Sequence, residues 1–260
     1  MLKTKEFMGL LDSVAPLELS YKLRERGDYD KSGLLVESGN KVEKVLFSLD
    51  LSLAVVERAK ELSCDTIVTH HPAIYAPIKS LSINGETAPL IKAVANGMNI
   101  ISMHLNLDTA DQGIDQSLAE AFGGENARIL DLTDDKHGYG REFAVDCDFE
   151  NIKTIVKEVL GTDKGVFYGE GKCKKMATFC GGGGSHALKA VLDGDTQADL
   201  VLTSDLQHHQ LKELIEKGKK VVVVPHYVSE DYGFYRFFQR VTNELGKDAE
   251  TYYFRDKRFM

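Results

Sequence analysis

Short aliphatic runs alternate with longer amphipathic ones along most of this chain. Residues 42–49, 65–69 and 99–103 are rich in Val, Ile and Leu and read as strands, of the kind buried on both faces in a parallel sheet. Residues 52–62, 89–95 and 114–122 carry apolar side chains at helical spacing, as in Leu53, Val56 and Ala59. The later half does the same, with strands predicted over 175–180, 200–203 and 221–224 and helices over 185–192, 206–217 and 234–245. Residues 126–171 break the rhythm. There, 142–146 and 166–168 read as strands around an amphipathic stretch over 152–160, expected to pack on or between the main lobes. The alternation predicts an α/β fold of parallel sheets flanked by helices.

The two halves also match in detail. Asp65-Thr66-Ile67-Val68-Thr69 resembles Asp199-Leu200-Val201-Leu202-Thr203, and Gly97-Met98-Asn99-Ile100-Ile101 resembles Gly218-Lys219-Lys220-Val221-Val222. Ala121-Phe122-Gly123 matches Glu244-Leu245-Gly246. Extra residues, roughly 76–87, interrupt the first copy only. Agreement at three places predicts an internal duplication, giving two similar α/β/α lobes at about 1–125 and 126–260 within a single domain of 260 residues.

Composition narrows the classes. Hydrophobic residues make up 43% of the chain, enough for a substantial core. The formal net charge is -8 with no basic tract, which argues against a nucleic-acid partner held by its phosphates. The four cysteines, Cys64, Cys147, Cys173 and Cys180, have no CxxC spacing, as expected of reduced thiols in a cytoplasmic protein. Lys3, Lys5 and Glu6 break the first apolar run, so no signal peptide is expected there. No run approaches the roughly 18 apolar residues of a membrane span.

The chemistry gathers at predicted strand ends. His70-His71-Pro72 closes the 65–69 strand, His104 and Asp108 follow the 99–103 strand, and His226 and Glu230 follow the 221–224 strand. Adjacent histidines in regular strand point oppositely, but both can face one site where the chain bends, and Pro72 favours such a break. Imidazole with carboxylate is the ligand set of Zn, Mn, Fe or Ni. Five groups, His70, His71, Asp108, His226 and Glu230, exceed one tetrahedral ion and suit two divalent metal ions if a carboxylate bridges. His104 reads as a further ligand, an orienting group, a proton carrier or a packed ring. Asp205 and His208 read either as site-lining groups or, with Ser204, as the start of the 206–217 helix. Gly181-Gly182-Gly183-Gly184-Ser185 precedes a helix and reads as an anion cradle or as a tight turn with Ser185 as cap.

Taken together these segments resemble the Nif-three-like family, also called the GTP cyclohydrolase 1 type 2 family. The resemblance covers nearly the whole chain. It rests on Asp30-Lys31-Ser32-Gly33, Leu49-Asp50, Thr69-His70-His71-Pro72, His104-Leu105-Asn106-Leu107-Asp108, the 181–185 loop, and His226-Tyr227-Val228-Ser229-Glu230. It implies intertwined α/β lobes, a homohexameric ring, and two divalent ions held by His70, His71, Asp108, His226 and Glu230. Tyr29-Asp30-Lys31-Ser32 stands where family members often carry Trp-Asp-Asn, and Pro225 replaces the family's Gly. Two functions follow as expectations. One is a metal-dependent hydrolase of a small, nucleotide-like or phosphorylated substrate, with His104 or His208 moving protons. The other is a non-catalytic metal-binding regulator or adaptor.

Overall fold

The computed structural model describes residues 2–39 and 41–260. Two helices open the chain, α1 (Thr4–Val14) and α2 (Leu17–Glu25), before the short strand β1 (Gly33–Val36). Then follow β2 (Lys44–Ser48), α3 (Leu53–Glu61), β3 (Thr66–Thr69), α4 (Ala88–Ala95), β4 (Asn99–Ser102) and α5 (Leu105–Thr109). Ser52 caps α3 by accepting from the backbone NH of Val55. Beyond them come α6 (Ile114–Ala121), β5 (Arg128–Leu132), β6 (Gly138–Asp148), α7 (Phe149–Leu160) and β7 (Val166–Tyr168). The remaining elements are β8 (Lys172–Thr178), α8 (Gly184–Leu192), β9 (Leu200–Thr203), α9 (His208–Glu216), β10 (Lys220–Val223), α10 (His226–Leu245) and β11 (Glu250–Tyr253). No helix of the described residues is long and apolar enough to cross a membrane.

The chain forms two compact units. The first comprises Met1–Ala110 and Phe234–Asp256, the second Asp111–Gly233 and Lys257–Met260. The chain therefore leaves the first unit at Ala110 and returns to it within α10, and the boundary expected near residue 125 falls inside the second unit.

In the first unit the strand order is β1-β4-β3-β2-β11. The last four strands are parallel, and β1 pairs antiparallel with β4 at one edge. One face of the sheet sets Leu46, Ile67 and Ile100 against Val55, Val56 and Ala59 of α3 and Leu90 and Ala93 of α4. Phe47, one residue along from Leu46, points to the opposite face, where its ring meets those of Phe234, Phe237 and Phe238 of α10 at 5.3–6.4 Å. Cys64 belongs to the α3–α4 core, where burial pushes its thiol up to about 11.

The second unit orders its strands β5-β6-β8-β9-β10-β7. β8, β9 and β10 are parallel, and β7 pairs antiparallel with β10. The path β7-β10-β9-β8 thus repeats β1-β4-β3-β2, strand for strand and in the same directions. The two units share one strand topology. Residues 65–69 and 199–203 fall on β3 and β9, and 97–101 and 218–222 lead into β4 and β10. The third match, 121–123 with 244–246, lies at the ends of α6 and α10, outside this strand core. Both sheets are mixed, whereas the alternation of elements predicts parallel ones. The difference lies in the short edge strands β1 and β7 and, in the second sheet, in β5 and β6, which pair antiparallel with each other and, through β6, with β8. Residues 126–171 supply β5, β6, α7 and β7, so most of the irregular middle extends the second sheet.

Candidate metal centre

The first unit builds its cluster where β3 ends. The backbone NH groups of His70 and His71 both donate to the carbonyl of Leu49, at 3.1 and 2.9 Å. Sharing one acceptor bends the chain out of strand geometry, and the two rings come to lie 4.9 Å apart on one side. This is the turn that Pro72 favours. The corner is pinned beneath by Thr69 and Ser102, whose hydroxyls are 2.7 Å apart.

Each histidine of this unit is held by its Nδ1 atom. His70 meets the Met103 carbonyl at 2.8 Å, His71 meets Asp50 Oδ1 at 2.7 Å, and His104 meets Asp30 Oδ1 at 2.8 Å. A carbonyl or carboxylate oxygen only accepts, so each Nδ1 donates, and the tautomer this selects for a neutral ring has its lone pair on Nε2. That is the arrangement of histidines prepared for a metal. Nε2 of His70 lies 3.5 Å from Oδ1 of Asp108. Potential ligand atoms of His70, His104 and Asp108 all lie within 4.8 Å of one another, with His70 and Asp108 buried. Two imidazoles and a carboxylate at this spacing fit a divalent ion.

Asp30 is buried, and burial pushes its carboxyl up. The hydrogen bond and charge of His104, with the Ser32 hydroxyl and the Lys31 backbone NH, outweigh that and hold it below the usual range. The Ser32 hydroxyl donates to Asp30 Oδ2 at 2.8 Å and accepts from the backbone NH of His104 at 3.0 Å. The Asp30-Lys31-Ser32 segment therefore fixes both the ring and the backbone of His104.

Within the second unit three side chains form a row. His226 Nδ1 lies 2.5 Å from Asp205 Oδ2, and its Nε2 lies 3.0 Å from Glu230 Oε1. Glu230 is buried. Asp205 has φ of +46°, uncommon for a residue with a side chain. It does not cap a helix, because α9 begins later, with Gln207 and Gln210 forming a reciprocal capping pair. His208 sits exposed in the first turn of α9, with no hydrogen bond or ion pair among the described residues. Its place in a site has no geometric support within this unit.

The glycine loop serves this row. Gly181 has φ of +53°, and a β-carbon there would fall 1.9 Å from Glu230 Oε1 and 3.2 Å from His226 Nε2. Its NH donates to Ser229 Oγ at 2.9 Å, and that hydroxyl donates to the His226 carbonyl at 2.8 Å. Gly183 is packed against Phe179 and Tyr139. Ser185, expected as a cap, lies inside α8, whose N-cap is Gly183. The loop is thus a close-packed wall behind His226 and Glu230. Behind it, Oδ1 of the buried Asp115 accepts from the Cys180 NH at 3.3 Å, and Oδ2 receives Arg141 Nη1 at 3.0 Å.

His226 opens α10 and Glu230 lies one turn further on, and the opening bonds of the helix run from the Val228 and Ser229 NH groups to the Pro225 carbonyl. His104 is the N-cap of α5, which carries Asp108. The repeated His-x3-acid spacing is therefore helical, placing both groups on one face, and only His70 and His71 sit at a strand end. The roles of Asp30, Asp50 and the Met103 carbonyl as Nδ1 partners are not apparent from the sequence, although Asp30 and Asp50 stand in two of its motifs.

The chain has relatives of similar sequence and fold over most of its length. The chain is 27% identical to a GTP cyclohydrolase 1 type 2 homolog of Clostridium perfringens, over 96% of this chain and 95% of that one. It is 30% identical to NGG1-interacting factor 3 of Saccharomyces cerevisiae, over 76% of this chain and 77% of that one. Among solved structures, reduced HcgD from Methanocaldococcus jannaschii superposes with a TM-score of 0.80 at 28% identity, covering 97% of each chain. A Bacillus cereus protein related to NIF3 gives 0.85 at 19% identity, over 98% and 97%, and speaks to the fold alone. Residues 2–257 match the model of the Duf34/NIF3 (NGG1p interacting factor 3) family, and the chain belongs to that family.

Proposed function

We propose that the protein binds two divalent metal ions through His70, His71, Asp108, His226 and Glu230 and acts as a metal-dependent hydrolase on a small substrate. The observation that carries this reading is the common hold on four histidines. His70, His71, His104 and His226 each give Nδ1 to an oxygen acceptor, which puts the lone pair of the neutral ring on Nε2, the form in which imidazole binds a metal. The relatives named as GTP cyclohydrolase 1 type 2 homologs support a substrate of nucleotide character.

When bound, divalent ions supply Lewis acidity, lowering the pKa of water and polarising an electrophile. The chain's own residues supply orientation and proton transfer. Asp50 and the Met103 carbonyl fix the rings of His71 and His70, and Asp205 fixes that of His226. His104 is only partly buried and has Nδ1 secured by Asp30, so its Nε2 is the group placed to carry a proton to or from substrate. His208 is left outside this scheme.

The test is a screen of metal-loaded protein against phosphoesters, nucleotides and GTP, with Asp108→Ala as control. Activity present in the parent and lost in the variant supports the enzyme; equal residual activity in both sinks it. His104→Gln should keep the metal and lose turnover. A fall in its metal content would make His104 a ligand instead.

A second reading is a non-catalytic binding protein, favoured by one observation: the yeast relative is named for an interaction with NGG1. Full metal loading with no turnover across the screen would select it. The family resemblance further suggests a homohexameric ring. Light scattering of the metal-loaded protein should give six times the 28.9 kDa chain mass, and a monomer would exclude the ring.

A further inference from the structure

An exposed aromatic pair stands beside the histidine cluster of the first unit. Tyr29 and Tyr75 are 45% and 52% exposed, and their rings meet edge to face with centroids 4.8 Å apart. Tyr75 is also 6.4 Å from the His104 ring, at 86°. His104 in turn lies 6.0 Å from His71. Neither Tyr29 nor His104 lies flat against Tyr75. On the outer side, Lys31 Nζ sits 5.7 Å from the centre of the Tyr29 ring.

The backbone on which these groups stand is fixed. Tyr29 immediately precedes Asp30, which holds His104 Nδ1, and Lys31 immediately follows it. A single exposed tyrosine needs no explanation. Two in contact, joined to a cation and touching a candidate catalytic ring, form a surface with a particular chemistry. Tyrosine faces stack on planar rings of any base, and an ammonium on a flexible stem serves as a point charge for an anion. The nearby carboxylates of Asp30 and Asp50 are each engaged by a histidine, and Lys31 places a cation against the Tyr29 ring.

We propose that Tyr29, Tyr75 and Lys31 form a substrate subsite for a planar aromatic or heteroaromatic ring bearing an anionic group, presented edgewise to His104. The subsite deepens the hydrolase reading and rests on it for its purpose. The ring stacks on the face of one tyrosine and meets the other at its edge, and the anion pairs with Lys31.

The test uses GMP as the ring-plus-anion probe, guanosine as ring alone and ribose 5-phosphate as anion alone. Calorimetry is run on the full chain, both stripped of metal and loaded with manganese. GMP should bind at least about tenfold more tightly than either fragment. Tyr75→Ala and Tyr29→Ala should each weaken GMP about tenfold, the scale of one base–aromatic stack. Tyr75→Phe should retain it, and Lys31→Ala should reduce GMP to the level of guanosine. Melting temperature and metal content should stay at parental values in all four. GMP that binds no better than ribose 5-phosphate, or that binds the alanine variants as well as the parent, overturns the subsite. So does a changed oligomeric mass with unchanged GMP affinity, which would assign the pair to an interface between copies. The two readings fail separately. Tyrosine-dependent GMP binding in a chain that takes up no metal refutes the metal centre and keeps the subsite; full metal loading without tyrosine dependence does the reverse.

Discussion

Gly181 and Glu230 share a space that a single methyl group would fill. The ideal β-carbon position at 181 lies 1.9 Å from Oε1 of Glu230, so any other residue must displace that carboxylate. The backbone at 181 also has positive φ, which side chains adopt at a cost. Gly181→Ala should therefore cost about 1–3 kcal/mol of stability, the usual penalty of overpacking. It should also weaken metal uptake about tenfold or more. Denaturant titration and elemental analysis after dialysis read the two effects. A folded variant with parental metal content would show that Glu230 is not a ligand.

Asp50 provides a milder perturbation of the first unit. Asp50→Ala removes the acceptor of His71 Nδ1 while leaving the imidazole in place. Loss of such an outer partner costs about 10–100-fold in metal affinity, so competition with a chromophoric chelator should show a fall in that range. Asp50→Glu, which can still accept, should recover part of it. Unchanged affinity in the alanine variant would mean that His71 is not held for a metal.

Stripping the metal should loosen the fold. An ion that binds only the folded chain stabilises it by about 2.7 kcal/mol at a hundredfold excess over Kd. For a chain of this size that corresponds to roughly 5–10 °C in melting temperature. EDTA should lower the transition by this order, and reloading after removal of chelator should restore it. Coincident curves with and without metal would count against a folded-state metal site.

The buried pair of Asp115 and Arg141 predicts a pH effect of defined sign. Burial pushes the Asp115 carboxyl up to about 6, against the charge of Arg141, the backbone NH groups of Cys180 and Gly140, and the charge of His186. Its ordinary value is 3.8. Between these values the folded chain binds more proton than the unfolded one, so this group's contribution is fully present below about 3.8 and is lost as pH rises through about 6. Unfolding free energies of the parent minus Asp115→Asn should therefore fall with rising pH over that window, by on the order of 2–3 kcal/mol. A difference that rises or stays flat refutes the shift. Arg141→Met should cost about 3–5 kcal/mol at neutral pH, because it leaves a buried carboxylate uncompensated.

The parts of this molecule legible in the sequence are those set by local pattern. Thr66–Thr69 and Leu200–Thr203 announce themselves because both faces of each strand are buried, leaving an unbroken aliphatic run. The His70-His71 corner is legible because Pro72 forbids continuation of the ladder. The edge strand Gly33–Val36 is not, since its residues are only partly buried and its pairing with Ile101 is set by contacts distant in sequence. Helix α10 is longer than its hydrophobic pattern indicates. Its start leaves His226 half-buried and, one turn on, buries the charged Glu230, a departure from simple amphipathic order. Asp205 shows the same limit: Asp before a helix is a common cap, and only its distance from His226 reveals the other use.

The segment between His71 and α4 has a consequence for how the molecule can be cut. Residues 76–86 are exposed throughout, form neither strand nor helix, and include Lys79 in a run with Ile78, Leu81 and Ile83. Chain hinges of this sort are where proteases enter first. Brief trypsin treatment should nick the native protein after Lys79, and the two fragments should stay associated, since β3 and β4 on either side of the nick are paired to each other within one sheet. Resistance at Lys79 in the native state would show that the segment is covered. A nicked but intact sheet would make this the natural seam for splitting the protein into two complementing halves.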